Sequence, residues 1–209
     1  MTHDPQPVTL DYTRIAGQIH EFYRQQSRDQ GWKNDFDMTF AELPEFMKVD
    51  NIAAARRISH VLSHAGLQLV PRDEVAWPET EQQRIRDRIE QNIELLAEAE
   101  HEGWVAARLR EGWRPGKCKS PELRESHLLV PWTQLRKQIE LKQEHLRQHG
   151  NPPSMTVEVE YQSELEKDRA SVRNYVQIIA LTTYRIIEER ALESDPPTSS
   201  GTQPNTATV

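Results

Sequence analysis

The sequence predicts a mainly α-helical protein: two tandem helical repeats in a pseudo-two-fold arrangement, with short β-strands and a disordered C-terminal tail. Three observations carry this. A motif occurs twice, as His20-Glu21-Phe22-Tyr23 followed by Gly31-Trp32 and as His101-Glu102-Gly103-Trp104 followed by Gly112-Trp113. Both copies read H-E-x-aromatic, seven residues, G-W, and lie 81 positions apart, which is the signature of a duplicated unit. Apolar residues recur at helical spacing through both copies. Finally, Glu193–Val209 is rich in Pro, Ser and Thr and has no apolar residue larger than valine, so it cannot offset its own ordering entropy.

The elements follow in order. Residues 1–10 read as a flexible leader. From Asp11 to Gln30, Ile15, Ile19, Phe22 and Tyr23 fall on one helical face, and Gly31 ends the helix by accepting a left-handed conformation. Pro44 opens a second helix carrying Ile52, Ala55, Ile58, Val61 and Leu62. Gly66 stops it, and Leu67–Val70 reads as a short strand. These elements make a first repeat over 11–70. Pro71 and Pro78 bracket a linker over 71–79. The second repeat, 80–190, begins with a long helix. Thr80 is its expected cap, with Gln83 completing a capping box, and Gly112 is its end. A long loop runs from Trp113 to Pro131, and loops of that length tend to be functional. Trp132–Arg147 reads helical, Asn151-Pro152-Pro153 breaks it, and a last helix runs from about Val157 or Ser163 to Arg190. Residues 191–209 form the tail.

The repeat extends beyond its opening motif. Phe40-Ala41-Glu42-Leu43 answers Trp132-Thr133-Gln134-Leu135 at an offset of 92, and Lys48-Val49-Asp50-Asn51 answers Glu166-Lys167-Asp168-Arg169 at 118. The second copy thus carries an insertion, placed at about 140–163.

These residues resemble the RyR repeat, the module named for ryanodine receptors and also found in bacterial proteins. The resemblance rests on His101, Trp104, Gly112-Trp113, Lys119, His127-Leu128, Pro131-Trp132, Leu135, and a helix opening with Asp168-Arg169. It covers about residues 92–188, with 11–70 as a degenerate copy that has Tyr23, Phe40 and Asp50-Asn51 at the corresponding places and lacks the His-Leu-Leu-Val-Pro segment. The resemblance implies a regulatory or ligand-binding module, not a catalyst, with nucleotides the leading ligand class.

Composition narrows the function. The 209 residues carry a formal net charge of −7, which argues against a nucleic-acid binder, since such modules usually present a basic face. A local run of Arg108, Arg110, Arg114, Lys117 and Lys119 reads equally well as a solvated helix end. No run of 18 apolar residues is present, so no membrane span is expected. Met1–Pro5 has no apolar core of a secretory signal. A lone cysteine, Cys118, fits a reducing compartment, so a cytoplasmic location is expected. The His-Glu pairs lack the second histidine four residues on that a zinc protease needs. His60/His64 and His145/His149 are spaced for a metal but read more simply as helix-surface histidines. No nucleophile-base arrangement or phosphate loop appears, so neither enzymatic activity nor a cofactor is expected.

The aromatic residues are the stronger lead. Tryptophan is more often core than cage, but here it is packaged with His, Lys and Arg at a helix end and loop, where binding groups concentrate. The expected ligand site is a pocket between the repeats. His101, Trp104, Trp113, Lys119, His127, Trp132, Asp168 and Arg169 would converge there, faced by His20, Tyr23, Trp32 and Asn51. Trp104 and Tyr23 would sandwich a planar group, and Lys119 and Arg169 would neutralise phosphate. The alternative is a protein-protein interaction or scaffold unit with the aromatics as core.

Overall fold

In the computed structural model, residues 9–31, 33, 36–72 and 76–189 are described. The expected tail at 191–209, most of the leader, and Trp32 lie outside them. Helix α1 (Tyr12–Asp29) starts where the Asp11 carboxylate accepts the Arg14 N–H at 3.0 Å, a side-chain cap. It buries Ile15, Ala16, Ile19 and His20, and Gly31 follows at φ 66°. After a 3-10 turn at Phe40–Glu42, α2 (Glu45–Ser63) begins behind Pro44 and buries Ala55, Ile58, Val61 and Leu62. Strand β1 (Leu67–Pro71) alternates buried and outward positions, as its period-two pattern requires.

The long helix expected from Thr80 is two helices, α3 (Glu79–Gln91) and α4 (Ile93–Arg110). The break is at Asn92, where φ is −118° and the side-chain amide donates to the Arg88 carbonyl at 2.8 Å. The start differs too. Pro78 precedes the first helical residue and its carbonyl accepts from Glu81 and Gln82. Thr80 therefore lies inside the helix and the expected capping box with Gln83 does not form. Trp77, in the expected linker, is buried in the core.

The loop after α4 holds a two-residue parallel pairing of β2 (Arg114–Pro115) with β3 (Glu125–Ser126). A 3-10 turn at Trp132–Gln134 leads into α5 (Leu135–Gln148). Helix α6 (Val157–Ala180) opens behind Thr156, whose hydroxyl accepts the Val159 N–H at 3.3 Å. Asp168-Arg169 is therefore mid-helix, not a helix start. The helix does not reach Arg190: β4 (Tyr184–Glu188) follows and pairs antiparallel with β1, Leu67 opposite Glu188 and Pro71 opposite Tyr184. Tyr184 and Ile186 bury at alternate positions, the period of a strand. The fold is mainly helical, as predicted. Among the described residues no helix is long and apolar enough to cross a membrane.

Several local features recur in the two halves. Helices α1 and α4 both have 18 residues. They are preceded by Asp11 and Asn92 and followed by Gly31 and Gly112, both at positive φ. Each helix carries a buried histidine whose Nε2 meets a carbonyl two residues before a 3-10 turn: His20 with Met38 at 2.7 Å, His101 with Val130 at 2.9 Å. Further on, buried Ala55, Ile58, Val61, Leu62, Leu67 and Leu69 answer buried Val172, Tyr175, Ile178, Ile179, Tyr184 and Ile186. The separation is a constant 117 (172 less 55), one less than the register expected from the Asp50/Asp168 match. The burial pattern thus places Asn51, not Asp50, opposite Asp168. Leu69 pairs across the sheet with Ile186, its own counterpart. Helices α3 and α5 have no counterpart among the described residues of the first half.

Candidate functional site

The site is built where α4 packs against both α6 and α2. His101 is buried at 3% exposure. Its Nδ1 lies 3.3 Å from Asp168 Oδ2 and its Nε2 2.9 Å from the Val130 carbonyl oxygen. Two acceptors on one imidazole favour the doubly protonated ring. Burial alone would lower its pKa, but the Asp168 and Val130 contacts outweigh burial and raise it. Burial also pushes the Asp168 carboxyl up, against the pull of His101, with Glu100 and Glu164 adding to the rise. His101 therefore holds its proton more tightly than a free histidine does.

Beside it lies a second buried charge cluster. Arg57 of α2 grips Glu100 of α4 with two hydrogen bonds, at 3.1 and 3.0 Å. The Tyr175 hydroxyl donates to the same carboxylate at 2.6 Å. Burial and the Glu100 charge push the Tyr175 pKa well up, so the phenol stays a donor. The reach of Arg57 across α4 depends on Gly103: a Cβ there would sit 2.5 Å from Arg57 Cδ. The first copy of the motif has Phe22 at that place.

A cleft of about 350 Å³ opens onto these groups, lined by Arg57, Glu100, His101, Trp104, Lys119 and Asp168 among others. It adjoins a larger hollow of about 810 Å³, with Phe46, Asp50, Trp104, Arg108, Trp113 and Lys119 on its walls. Trp104, Lys119 and Leu128 line both. Of the expected basic run, Arg108 is held by Asp50 and Glu111 and lies over the Trp113 ring at 5.3 Å, and Arg114 is held by Glu125. Lys119 has no ion-pair partner among the described residues.

Of the expected site residues, His101, Trp104, Lys119 and Asp168 share the cleft, and Trp113 lines the adjoining hollow. Trp132 stands behind it, its ring 5.5 Å from His101 and its backbone N–H donating to Glu102 at 2.7 Å. His127 is buried with neither ring nitrogen hydrogen-bonded, 4.0 Å from Glu160. Burial and the Lys142 charge lower its pKa and keep it neutral. The remaining residues sit elsewhere. Arg169 faces away, bonded through two nitrogens to Glu94 of α4 at 2.8 and 2.9 Å. His20 packs on Phe40, Asn51 donates to Met47, and Tyr23 lies edge-on to Phe22. None of these three lines the cleft, so Tyr23 does not sandwich a group against Trp104 there. The sequence reading missed Arg57, Glu100, Tyr175 and Phe46. One signal was available: Gly103, a small residue inside a helix where the other copy is aromatic.

This arrangement defines a small helical module with a polar cleft beside an aromatic hollow. The model of the RyR domain family matches residues 78–150, and the chain carries an RyR domain over that stretch. The match runs from the start of α3 through α5. It includes His101, Trp104, Trp113, Lys119, His127 and Trp132 and leaves Asp168 and Arg169 outside. An RyR domain suggests a regulatory or interaction module. A search of curated proteins gave no match.

Proposed function

We propose that the chain is a non-enzymatic binding module for a nucleotide-like small molecule, held where the cleft meets the aromatic hollow. One observation carries the reading: Trp104 and Lys119, which has no ion-pair partner among the described residues, line both spaces, so a stacking ring and an ammonium stand where the two adjoin. A planar base would stack in the hollow among Trp104, Trp113 and Phe46, at about 1–3 kcal/mol per base. Its anionic group would meet Lys119, while the Asp168-His101 pair stands at the polar end. A non-catalytic role is supported by how the titratable groups are engaged: Glu100 is saturated by Arg57 and Tyr175, and His101 by Asp168 and the Val130 carbonyl. A cytoplasmic setting accords with a single, unpaired cysteine.

The test is a thermal-shift and calorimetry panel of mono-, di- and cyclic nucleotides with their parent nucleosides. A binder at a hundred times its dissociation constant stabilises by about 2.7 kcal/mol. Trp104→Ala should weaken nucleotides and nucleosides alike, and Lys119→Ala only the charged ligands. Folded variants that bind every ligand as tightly as the parent end the reading.

A further inference from the structure

A second groove, of about 700 Å³, runs between α2 and α4. Its direction follows from two ion pairs: Asp50 of α2 meets Arg108 of α4, and Arg57 meets Glu100, so the helices are antiparallel. The floor is apolar and small, made of Ile52, Ala53, Gly103, Ala106 and Ala107, and Val49 stands 45% exposed at one end. The two lining acids are already engaged, Glu102 by the Trp132 backbone N–H and Glu111 by Arg108. One lining cation, Arg57, is held by Glu100; the other two arginines are not held by a carboxylate. Arg56 and Arg110 form no ion pair among the described residues: Arg56 lies over the Tyr12 ring at 5.9 Å, and Arg110 Nε donates to the Ala106 carbonyl. Because the helices are antiparallel, the two cations sit at opposite ends, with His60 beside Arg56. A chain of net charge −7 thus presents a groove whose free charges are positive.

We propose that this groove docks an acidic amphipathic helix of a partner protein. From Val49 to His60 the α2 wall rises about 16 Å at 1.5 Å per residue, three turns of helix. A helix packs at about 8–10 Å between axes when the residues beneath it are small, which the Ala/Gly floor provides. Apolar residues at i, i+4 and i+7 of the partner would seat on Ile52, Ala53 and Ala106 in the helix-in-groove mode. Carboxylates at its two ends would meet Arg56 and Arg110, giving orientation and speed of association. Trp104 and Lys119 do not line this groove, although it shares Arg57 with the cleft and Val49 and Glu111 with the hollow, so the variants at Arg56, Arg110 and Ala106 test it apart from the ligand proposal.

The probe is a fluorescein-labelled, hydrocarbon-stapled helix of about 14 residues with Leu at i, i+4 and i+7 and Glu at both ends. A control peptide replaces Glu by Lys. Anisotropy against the full chain should show binding of the acidic peptide, weakening with salt, and none of the basic one. Arg56→Glu with Arg110→Glu should weaken the acidic peptide at least about tenfold and admit the basic one. Ala106→Trp, which fills the floor, should abolish both. Circular dichroism and melting temperature verify that each variant folds. The proposal is overturned if the acidic peptide fails to bind at about millimolar concentration, or if both peptides bind equally. Binding that survives Ala106→Trp overturns it too. So does self-association in sedimentation velocity that Ala106→Trp removes, which would make a second copy of this chain the occupant.

Discussion

Glu100 is 7% exposed and is answered by both Arg57 and Tyr175, so its charge is tolerable only while they remain. Removing one partner of a buried pair leaves an uncompensated charge and costs about 3–5 kcal/mol, whereas replacing both by apolar residues is often close to neutral. Arg57→Leu should therefore lower the urea-unfolding free energy by about that amount, and adding Glu100→Leu should restore most of it. Additive losses in the double mutant would contradict the coupling. His101 gives a second residue-scale test through its raised pKa. The native state binds that proton more tightly than the unfolded chain, whose value is about 6.5. Its stabilisation is complete below about pH 6.5 and is lost as pH rises through the folded value. The urea midpoint should thus fall on the alkaline side, and His101→Gln should flatten that limb. His127, held neutral by burial and Lys142, acts in the opposite sense: stability falls as pH drops below about 6.5.

Helix α4 sets two opposing effects at Gly103. Glycine to alanine inside a helix is worth roughly 1 kcal/mol of stabilisation from propensity alone. Here the added Cβ meets Arg57 Cδ at 2.5 Å, and Arg57 is fixed by its hold on Glu100. Gly103→Ala should be net destabilising in the parent and stabilising by roughly 1 kcal/mol in an Arg57→Ala background, read by thermal melts. The sign reversal is the test. Elements differ in how far the sequence reveals them. The ends of α1, α2 and β1 were legible because Asp11, Pro44, Gly31 and Gly66 act locally on backbone geometry. The break at Asn92 was not, since apolar positions continue in phase from Ile89 to Ile93 and the kink rests on one side-chain hydrogen bond to Arg88. The true start of α6 was blurred by a polar first half in which only Glu160 and Leu165 bury. Candidate residues divide the same way. His101, Trp104 and Lys119 were readable from a repeated motif. Arg169 was drawn to Glu94, 75 positions away, by a long-range pairing that no local pattern encodes, and Arg57 entered the cleft from the other half for the same reason.

At the scale of the whole molecule, the main hydrophobic cluster among the described residues draws on both halves. Ile58, Val61, Leu62 and Leu67 from the first half share a single buried cluster with Val176, Ile178, Ile179 and Ile186 from the second. The matched helix lengths, the paired histidines and the constant spacing of buried positions lead us to propose that the halves arose by duplication, about a local dyad through Leu69 and Ile186. The sequence alone pointed to two tandem units in a pseudo-two-fold arrangement with a pocket between them, and did not show how far they share a core. The packing argues for mutual dependence. Each half contributes one strand to the β1–β4 sheet, and a lone two-stranded sheet is marginal without a face to pack on. A unit of about 60 residues also buries a smaller share of its surface than the whole chain does. Residues 9–72 expressed alone should therefore lack a cooperative thermal transition and give a collapsed amide NMR spectrum. Mixed with separately produced residues 76–189, they should fold into a one-to-one complex whose melting depends on concentration, as mass action requires. A fragment 9–72 that melts cooperatively by itself would show that the first half closes its own core, and the shared cluster would then be a contact between two finished units.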